Sequence, residues 1–341
     1  MLAIAGLISM RQGNYEQAIA QGEEAMQVAE RLGDKGALAF ACNSRAVISV
    51  IQANNREAIY YFEKTRALYQ ESENIYGQAM AENGLANAYF NFGDWGRATA
   101  YYRHAGRVFN QTGDIYTLAF VQNNLGGIAL NQGRLDDALA DYQRSLQILE
   151  QIGGSPYVRG ALHMNLGATY VRRGEIDQAR THLELSRAFY AQADARDFLP
   201  ELHRHFAAAA LCVADYERAV DHARQALALA RELAMRVEEA ASLHLLGEIA
   251  LARDDAAGAA PYLTQALPIL EAADQEYELA RCRLMVARLY LATGRPVAAQ
   301  ALWTAAVATF RKLDARLDLQ AAASLFPDAI VAPPSLLPQQ K

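Results

Sequence analysis

The sequence predicts an all-α protein, an α-solenoid of eight helix-turn-helix repeats followed by a C-terminal capping helix. An alanine recurs eight times, with spacings of 40, 40, 40, 41, 40, 40 and 40 residues. Apolar residues within each period follow the i, i+3, i+4, i+7 spacing of an amphipathic helix. Small turn-forming residues stand just before each alanine and divide the period into two helices. The alanines are Ala18, Ala58, Ala98, Ala138, Ala179, Ala219, Ala259 and Ala299.

Two more columns share this period. A small residue stands twelve positions before every alanine, where it lets two helix backbones approach closely. The members of this column are Gly6, Ala46, Ala86, Gly126, Gly167, Ala207, Gly247 and Ala287. A large apolar residue stands four positions after six of the alanines, and we expect it to face the same interface. These residues are Phe62, Tyr102, Tyr142, Leu183, Leu263 and Trp303.

Glycine followed by a capping residue marks the turns. In the third repeat, Gly93-Asp94 stops one helix and caps the next, which predicts helix A at about 76–92 and helix B at about 95–111. Similar stops occur at 33–34, 113–114 and 153–156, and the single spacing of 41 residues spans the last of these loops. An extra residue in a loop costs little.

These columns resemble the tetratricopeptide repeat, in which a leucine-glycine pair and an aromatic residue on helix A precede alanine, a large apolar and a small residue on helix B. The run 166–170 (Leu-Gly-Ala-Thr-Tyr), followed by Ala179, Leu183 and Ser186, is a close instance. The resemblance covers about residues 1–312. The period of 40 instead of the usual 34, and the missing proline at the end of helix B, indicate longer helices.

This long subtype is similar to the repeats of kinesin light chains, spindle-orientation adaptors, peptide-sensing bacterial regulators and the C-terminal arrays of ATP-dependent transcription activators. The resemblance implies a right-handed superhelix in which helices A line the concave wall.

The domain organisation follows from the period. We expect one repeat domain over 1–326, with repeats closing near 33, 73, 113, 154, 195, 235, 275 and 315, and a capping helix at 317–326. Residues 327–341 are predicted to form a flexible, proline-containing tail. Pro261 and Pro268 fall inside helix B of the seventh repeat, where they predict a kink. The first helix A would begin before Met1 and is apolar all round, so we expect preceding protein, an upstream domain or a second copy, to cover it.

Composition excludes several classes of function. The net charge of -6 without a basic block argues against direct binding to nucleic acid or to an acidic membrane surface. The three cysteines are scattered, which favours a reducing compartment and a cytoplasmic, bacterial protein. We expect Cys212 and Cys282 to be small buried apolar residues. No phosphate-binding loop, nucleophile elbow or zinc-protease motif occurs, so we predict neither a cofactor nor enzymatic activity.

Histidines give a weak metal signal. His163 and His203 share a column in neighbouring repeats and could face each other. Polar groove or surface histidines are the more common explanation, and we predict no metal site.

Asparagines form the candidate site. Asn83, Asn87 and Asn91 lie at i, i+4 and i+8 on one helix A, and related columns place Asn43, Asn123 and Asn131 on neighbouring helices. The resemblance implies that this face of helix A lines the groove. Asparagine is a poor helix former, so its recurrence calls for a reason. It either binds the backbone of an extended peptide or serves the fold. We assign Asn124 and Asn165, one column over, to structure.

The same stripe becomes charged further along the chain. Its members there are Arg172, Arg204, His244, Glu248 and Arg288. The arginines would favour an acidic ligand segment or a carboxylate terminus. The sequence therefore predicts a scaffold that binds a protein or an extended peptide. The alternative is a sensor or regulatory C-terminal module of a larger bacterial signalling or ATP-dependent transcription-activator protein.

Overall fold

A computed structural model describes residues 15–326 except 53 and 274, and the described chain is helical throughout. It contains sixteen α-helices, one short 3-10 helix and no β-strand in these residues, which confirms the all-α prediction. The first helix A, the predicted chain start and the predicted tail lie outside the described residues. The helices are α1 Tyr15–Leu32, α2 Lys35–Ile51, α3 Asn55–Glu71, α4 Ile75–Asn91, α5 Trp95–Thr112, α6 Ile115–Asn131, α7 Leu135–Ile152, α8 Pro156–Arg173, α9 Ile176–Ala193, α10 Leu199–Cys212, α11 Tyr216–Glu232, α12 Arg236–Ala252, α13 Ala256–Ala272, α14 Glu276–Ala292, α15 Pro296–Leu313 and α16 Arg316–Ala323.

Each repeat contributes one helix A, with an even number here, and one helix B, with an odd number. The first repeat is represented by α1 alone, and α16 follows the eighth repeat. The bounds of α4 and α5 agree with the sequence prediction to within one residue at each end. Contacts divide the chain into two compact units. Unit 1 comprises 1–130, 135–196 and 273–275, and unit 2 comprises 131–134, 197–272 and 276–341.

Close A–B packing organises unit 1. Helix α2 packs against α3, α4 against α5 and α8 against α9, while α2 also touches α4, the next helix A. A Cβ placed on Gly126 would lie 2.7 Å from the ring of Tyr142, and one on Gly167 would lie 2.7 Å from Leu183. The small column therefore faces the large apolar residue of its own repeat, as predicted.

Unit 2 repeats this arrangement. Helices α10 to α16 pack in chain order, each against the next, and successive helices A touch as well, α10 with α12 and α12 with α14. A Cβ on Gly247 would lie 2.6 Å from Leu263. The indole Nε1 of Trp303 donates to the backbone oxygen of Ala322 at 2.8 Å, which ties α16 to the last helix B.

Residues in the left-handed backbone conformation close the turns between helices. Gly33 and Gly93 have φ of 65° and 81°, and the carboxylates of Asp34 and Asp94 then accept from the backbone N–H of Ala37 and Arg97. These contacts satisfy N–H groups that the first turn of a helix leaves open. Other repeats place non-glycine residues in the same conformation, namely Glu73, Asp194, Ala214, Ala234, Asp254 and Asp314.

Two local expectations change. Helix α13 is one continuous helix that contains Pro261 and Pro268, both exposed, and the kink expected there stays a prediction. Helix α16 ends at Ala323, short of residue 326. Cys212 is exposed because it is the last residue of α10, beyond the buried turns of that helix, so its predicted burial is wrong. Cys282 is buried as predicted, and burial raises the pKa of its thiol to about 12.

Candidate functional site in the helix-A faces

The predicted asparagines of unit 1 all lie half-buried on helices A. Asn43 is on α2, Asn83, Asn87 and Asn91 are on α4, and Asn123 is on α6. Half-burial means that helix packing covers part of each side chain. Each asparagine can both donate and accept, as an extended peptide backbone requires.

Four side-chain amides form a hydrogen-bonded row across α4, α6 and α8, which we call the amide chain. Asn165 Nδ2 donates to Asn123 Oδ1 at 2.8 Å, and Asn123 Nδ2 donates to Asn124 Oδ1 at 3.2 Å. Asn124 Nδ2 in turn donates to Asn87 Oδ1 at 3.2 Å. Asn124 and Asn165 are predicted to be structural; Asn124 links Asn87 to Asn123, and Asn165 extends the row to a third repeat.

A tyrosine anchors one end of the amide chain. The hydroxyl of Tyr102, on α5, also donates to Asn87 Oδ1. Tyr102 is 1% exposed, and its burial raises the pKa of the phenol, so the hydroxyl remains a donor at neutral pH. Asn87 Oδ1 thus accepts two hydrogen bonds and is fixed in orientation.

Asn83 differs from its neighbours. Its Oδ1 is buried and has no hydrogen-bond partner among the described residues. A buried acceptor without a partner costs about 1–3 kcal/mol. Asn83 lies one helical turn before Asn87 on α4, so the open acceptor stands beside the amide chain. Arg172 is half-buried on α8 in the same unit.

In unit 2, the stripe contains an ion pair. Arg204, on α10, pairs through Nη2 with Glu238 Oε2 on α12, and its side chain is 17% exposed. His244, on α12, is 4% exposed, and its Nε2 is buried without a partner among the described residues. Arg288 is exposed on α14, while Glu248 and Asn131 are half-buried. The stripe of unit 2 therefore combines a neutralised arginine with a buried imidazole.

Two histidine pairs form within repeats. His163 and His203 each contact a histidine on the following helix B, His182 and His222 respectively. Within the described residues, no group of three or more histidine, cysteine, aspartate or glutamate side chains could hold a metal ion. No described helix is long and apolar enough to span a bilayer.

Comparison with known proteins identifies the repeat. Residues 77–151 and 117–192 each match the family model of the tetratricopeptide repeat. Residues 77–192 of the chain are tetratricopeptide repeats. No curated protein sequence is significantly similar to it. The matched residues include α6, α8 and all but the first two residues of α4, the three helices that carry the amide chain.

Solved structures share its fold. A Rap protein complexed with Competence and Sporulation Factor is 14% identical with a TM-score of 0.69, covering 88% of this chain and 80% of that one. The Rap conjugation gene regulator of plasmid pLS20, in complex with the Phr* peptide, is 16% identical with a TM-score of 0.67, covering 87% and 79%. The apo quorum sensor NprR from B. thuringiensis is 14% identical with a TM-score of 0.58, covering 90% and 86%. At these identities the comparisons show the fold.

Proposed function

We propose that this tetratricopeptide repeat protein is a non-catalytic, cytoplasmic scaffold that binds a protein segment or peptide in extended form along its helices A. The observation that carries the proposal is the buried Asn83 Oδ1, which lacks a donor beside the amide chain. A peptide N–H placed there would supply that donor. Two proteins with this fold are complexed with Competence and Sporulation Factor and with the Phr* peptide, which agrees with the proposal.

The two classes of asparagine have different expected roles. Asn124 and Asn165 bond to other side chains, so they serve the fold and hold Asn87 and Asn123 in place. Asn83 Oδ1 has no such partner among the described residues, so we assign this buried acceptor to the ligand. The sequence leaves open whether the asparagines bind ligand or support the fold. We expect ligand binding for Asn83, and structural support for Asn124 and Asn165 in the neighbouring column.

The test is to select peptides from a random library against the chain and to measure their affinities for variants. Asn83→Ala should weaken binding by about 1 kcal/mol, roughly fivefold, because one hydrogen bond is lost. The urea midpoint of Asn83→Ala should be unchanged or higher, because a buried open acceptor is removed and alanine is the better helix former.

Two matched variants separate the roles. Asn124→Ala should lower the free energy of unfolding by about 1 kcal/mol, because Asn87 and Asn123 each lose a hydrogen-bond partner. Asn110→Ala, on the exposed face of helix B α5, should leave affinity unchanged. If no peptide is selected, or if Asn83→Ala binds a selected peptide as tightly as the parent, the proposal fails.

A second candidate is a regulatory module of a larger bacterial signalling protein. Two proteins of similar structure are a conjugation gene regulator and a quorum sensor. The reading frame of the natural gene tests this candidate. An upstream nucleotide-binding or DNA-binding domain would support it, and a frame that encodes the repeat domain alone would count against it.

A further inference from the structure

Large apolar side chains gather on the helix-A face of unit 1, next to the asparagines. They lie on the first two turns of α2, α4, α6 and α8, and we call them together the apolar row. Its members are Phe40, Tyr76, Met80, Tyr116, Phe120 and Tyr157. All of them are exposed except Phe120, which is half-buried. Large exposed apolar residues gathered on one face are typical of a binding surface.

The apolar row continues the stripe of asparagines. On α4, Tyr76, Met80 and Asn83 lie at i, i+4 and i+7, so they share one face of the helix. The same spacing recurs on α6, forty residues later. Met80 lies one turn before Asn83, about 5 Å along the helix axis. A peptide N–H that bonds to the buried Asn83 Oδ1 therefore brings the neighbouring side chains of that peptide within reach of the apolar row.

Contacts within unit 1 fix the orientation of the rings. The Tyr76 hydroxyl donates to Asp114 Oδ2 at 2.8 Å, which joins the row on α4 to the start of α6. The Tyr76 ring also meets Phe109 edge to face, with the ring centroids 5.8 Å apart. Tyr116 and Phe120 meet in the same way at 5.0 Å. Because these rings are held before a ligand arrives, binding to them costs less side-chain entropy.

Charge is scarce around the centre of the apolar row. Helix α6 contains no charged residue, and the one charged residue of α4, Glu82, is 7% exposed and contacts His104 on α5. Asp114 uses both carboxylate oxygens, one for the Tyr76 hydroxyl and the other for the backbone N–H of Thr117. A charged ligand side chain would lose hydration here without an exposed opposite charge on either helix, whereas an apolar side chain would gain from burial.

We propose that the apolar row binds the large apolar side chains of an uncharged peptide segment, while the backbone of that segment bonds to Asn83. This inference rests on the proposed function and deepens it by naming the class of side chain that the ligand presents to unit 1. Successive side chains of an extended peptide point to opposite sides. One set of alternate side chains covers the row, and the other set faces away from it.

Three labelled nonapeptides test the proposal on the parent protein. They carry phenylalanine, alanine or lysine at alternate positions and are otherwise identical, and fluorescence anisotropy reports their affinities. The phenylalanine peptide should bind about tenfold more tightly than the alanine peptide, because each ring that reaches the row is partly buried there. The lysine peptide should bind no more tightly than the alanine peptide. The preference for phenylalanine should persist at high salt, because screening does not weaken apolar burial.

Matched variants locate the preference on the molecule. The double variant Met80→Gln, Tyr116→Gln should lose the preference for phenylalanine, because both exposed apolar side chains become polar. The control variant Tyr60→Gln, Leu185→Gln removes exposed apolar side chains from helices B α3 and α9 of the same unit and should retain the preference. Tyr116→Leu should retain it as well, because the surface stays apolar. Urea midpoints show that each variant is folded, and the peptide comparison on the parent depends on none of them.

Three results would overturn the proposal. The first is a phenylalanine peptide that binds the parent no more tightly than the alanine or lysine peptide, and the second is a Met80→Gln, Tyr116→Gln variant that keeps the preference. The third is a parent that sediments as a dimer while this variant sediments as a monomer, because a second copy would then cover the row. Asn83→Ala should weaken the phenylalanine and alanine peptides by the same factor. A failure of the backbone contact therefore appears in both affinities, whereas a failure of the apolar row appears in their ratio.

Discussion

His163 Nδ1 lies 2.9 Å from His182 Nδ1, with the ring centroids 5.2 Å apart and the ring planes 29° apart. The nitrogens therefore lie between the ring centres, and one ring donates to the other. Forty residues later, His203 Nδ1 lies 3.1 Å from His222 Nδ1, with centroids 5.4 Å apart. An N–H···N bond of this kind tolerates one added proton, but two would place like charges in contact.

We predict that this pair makes the fold sensitive to acid. Burial, then His182 and Arg159, lowers the pKa of His163 to about 4, from an ordinary value of 6.5. Between these values the unfolded chain binds a proton that the folded chain does not, so the free energy of unfolding falls as pH falls from 6.5 to 4. The contribution is fully present above 6.5, and its size is about 3 kcal/mol. Urea midpoints measured from pH 7 to pH 4 check this.

The chain itself provides the control. Leu243 and Tyr262 occupy the positions of the seventh repeat that correspond to His163 and His182. The double variant His163→Leu, His182→Tyr should show a shallower loss of stability with acid than the parent. An unchanged slope would mean that other groups govern the acid response.

Adjacent glycines test the close A–B approach. A Cβ on Gly126 would lie 2.7 Å from the Tyr142 ring, whereas one on Gly127 would be 3.7 Å from the Tyr142 hydroxyl, an ordinary contact. Gly126→Ala should therefore lower the free energy of unfolding by about 1–3 kcal/mol through overpacking. Gly127→Ala should raise it by about 0.5–1 kcal/mol, because alanine loses less entropy in a helix. Equal effects in denaturant titrations would contradict the close approach.

Replacing the prolines of α13 should stabilise the fold, in contrast to Gly126→Ala. Pro261 and Pro268 are exposed inside a continuous helix, so replacing them removes little packing. Each lacks the N–H that the helix requires, at a cost of up to about 3 kcal/mol. Pro261→Ala and Pro268→Ala should each raise the thermal midpoint, as measured by circular dichroism at 222 nm. A lower midpoint in either variant would mean that the ring makes a contact worth more than the missing hydrogen bond.

The fold was largely predictable because the same buried positions and turn residues recur in every 40-residue repeat. Ala58, Ala98 and Ala138 are fully buried, and Gly93-Asp94 closes the predicted turn. Left-handed residues such as Ala214 and Glu73 escaped prediction, because the backbone conformation there is imposed by packing of the adjoining helices and not by a glycine.

The candidate site was predictable only in part. Column spacing placed Asn83 and Asn87 on one face of a helix, but it could not show that Asn124 turns toward Asn87, since that depends on side-chain rotamers. The carboxylate partner of Arg204 comes from the next repeat, Glu238, so no pattern within one repeat reveals it. The histidine pairs did leave a signal, because His182 and His222 are 40 residues apart, as are His163 and His203.

The opposed positions of His163 and His182 hold different chemistry in other repeats. A thiol and a phenol meet there in the second repeat, Cys42 and Tyr61, and an aliphatic side chain accompanies a phenol in the seventh, Leu243 and Tyr262. One backbone geometry thus accepts several unrelated pairs. Duplicated repeats can diverge at this pair of positions without losing their register. One copy is therefore free to acquire sensitivity to acid while its neighbours preserve the architecture.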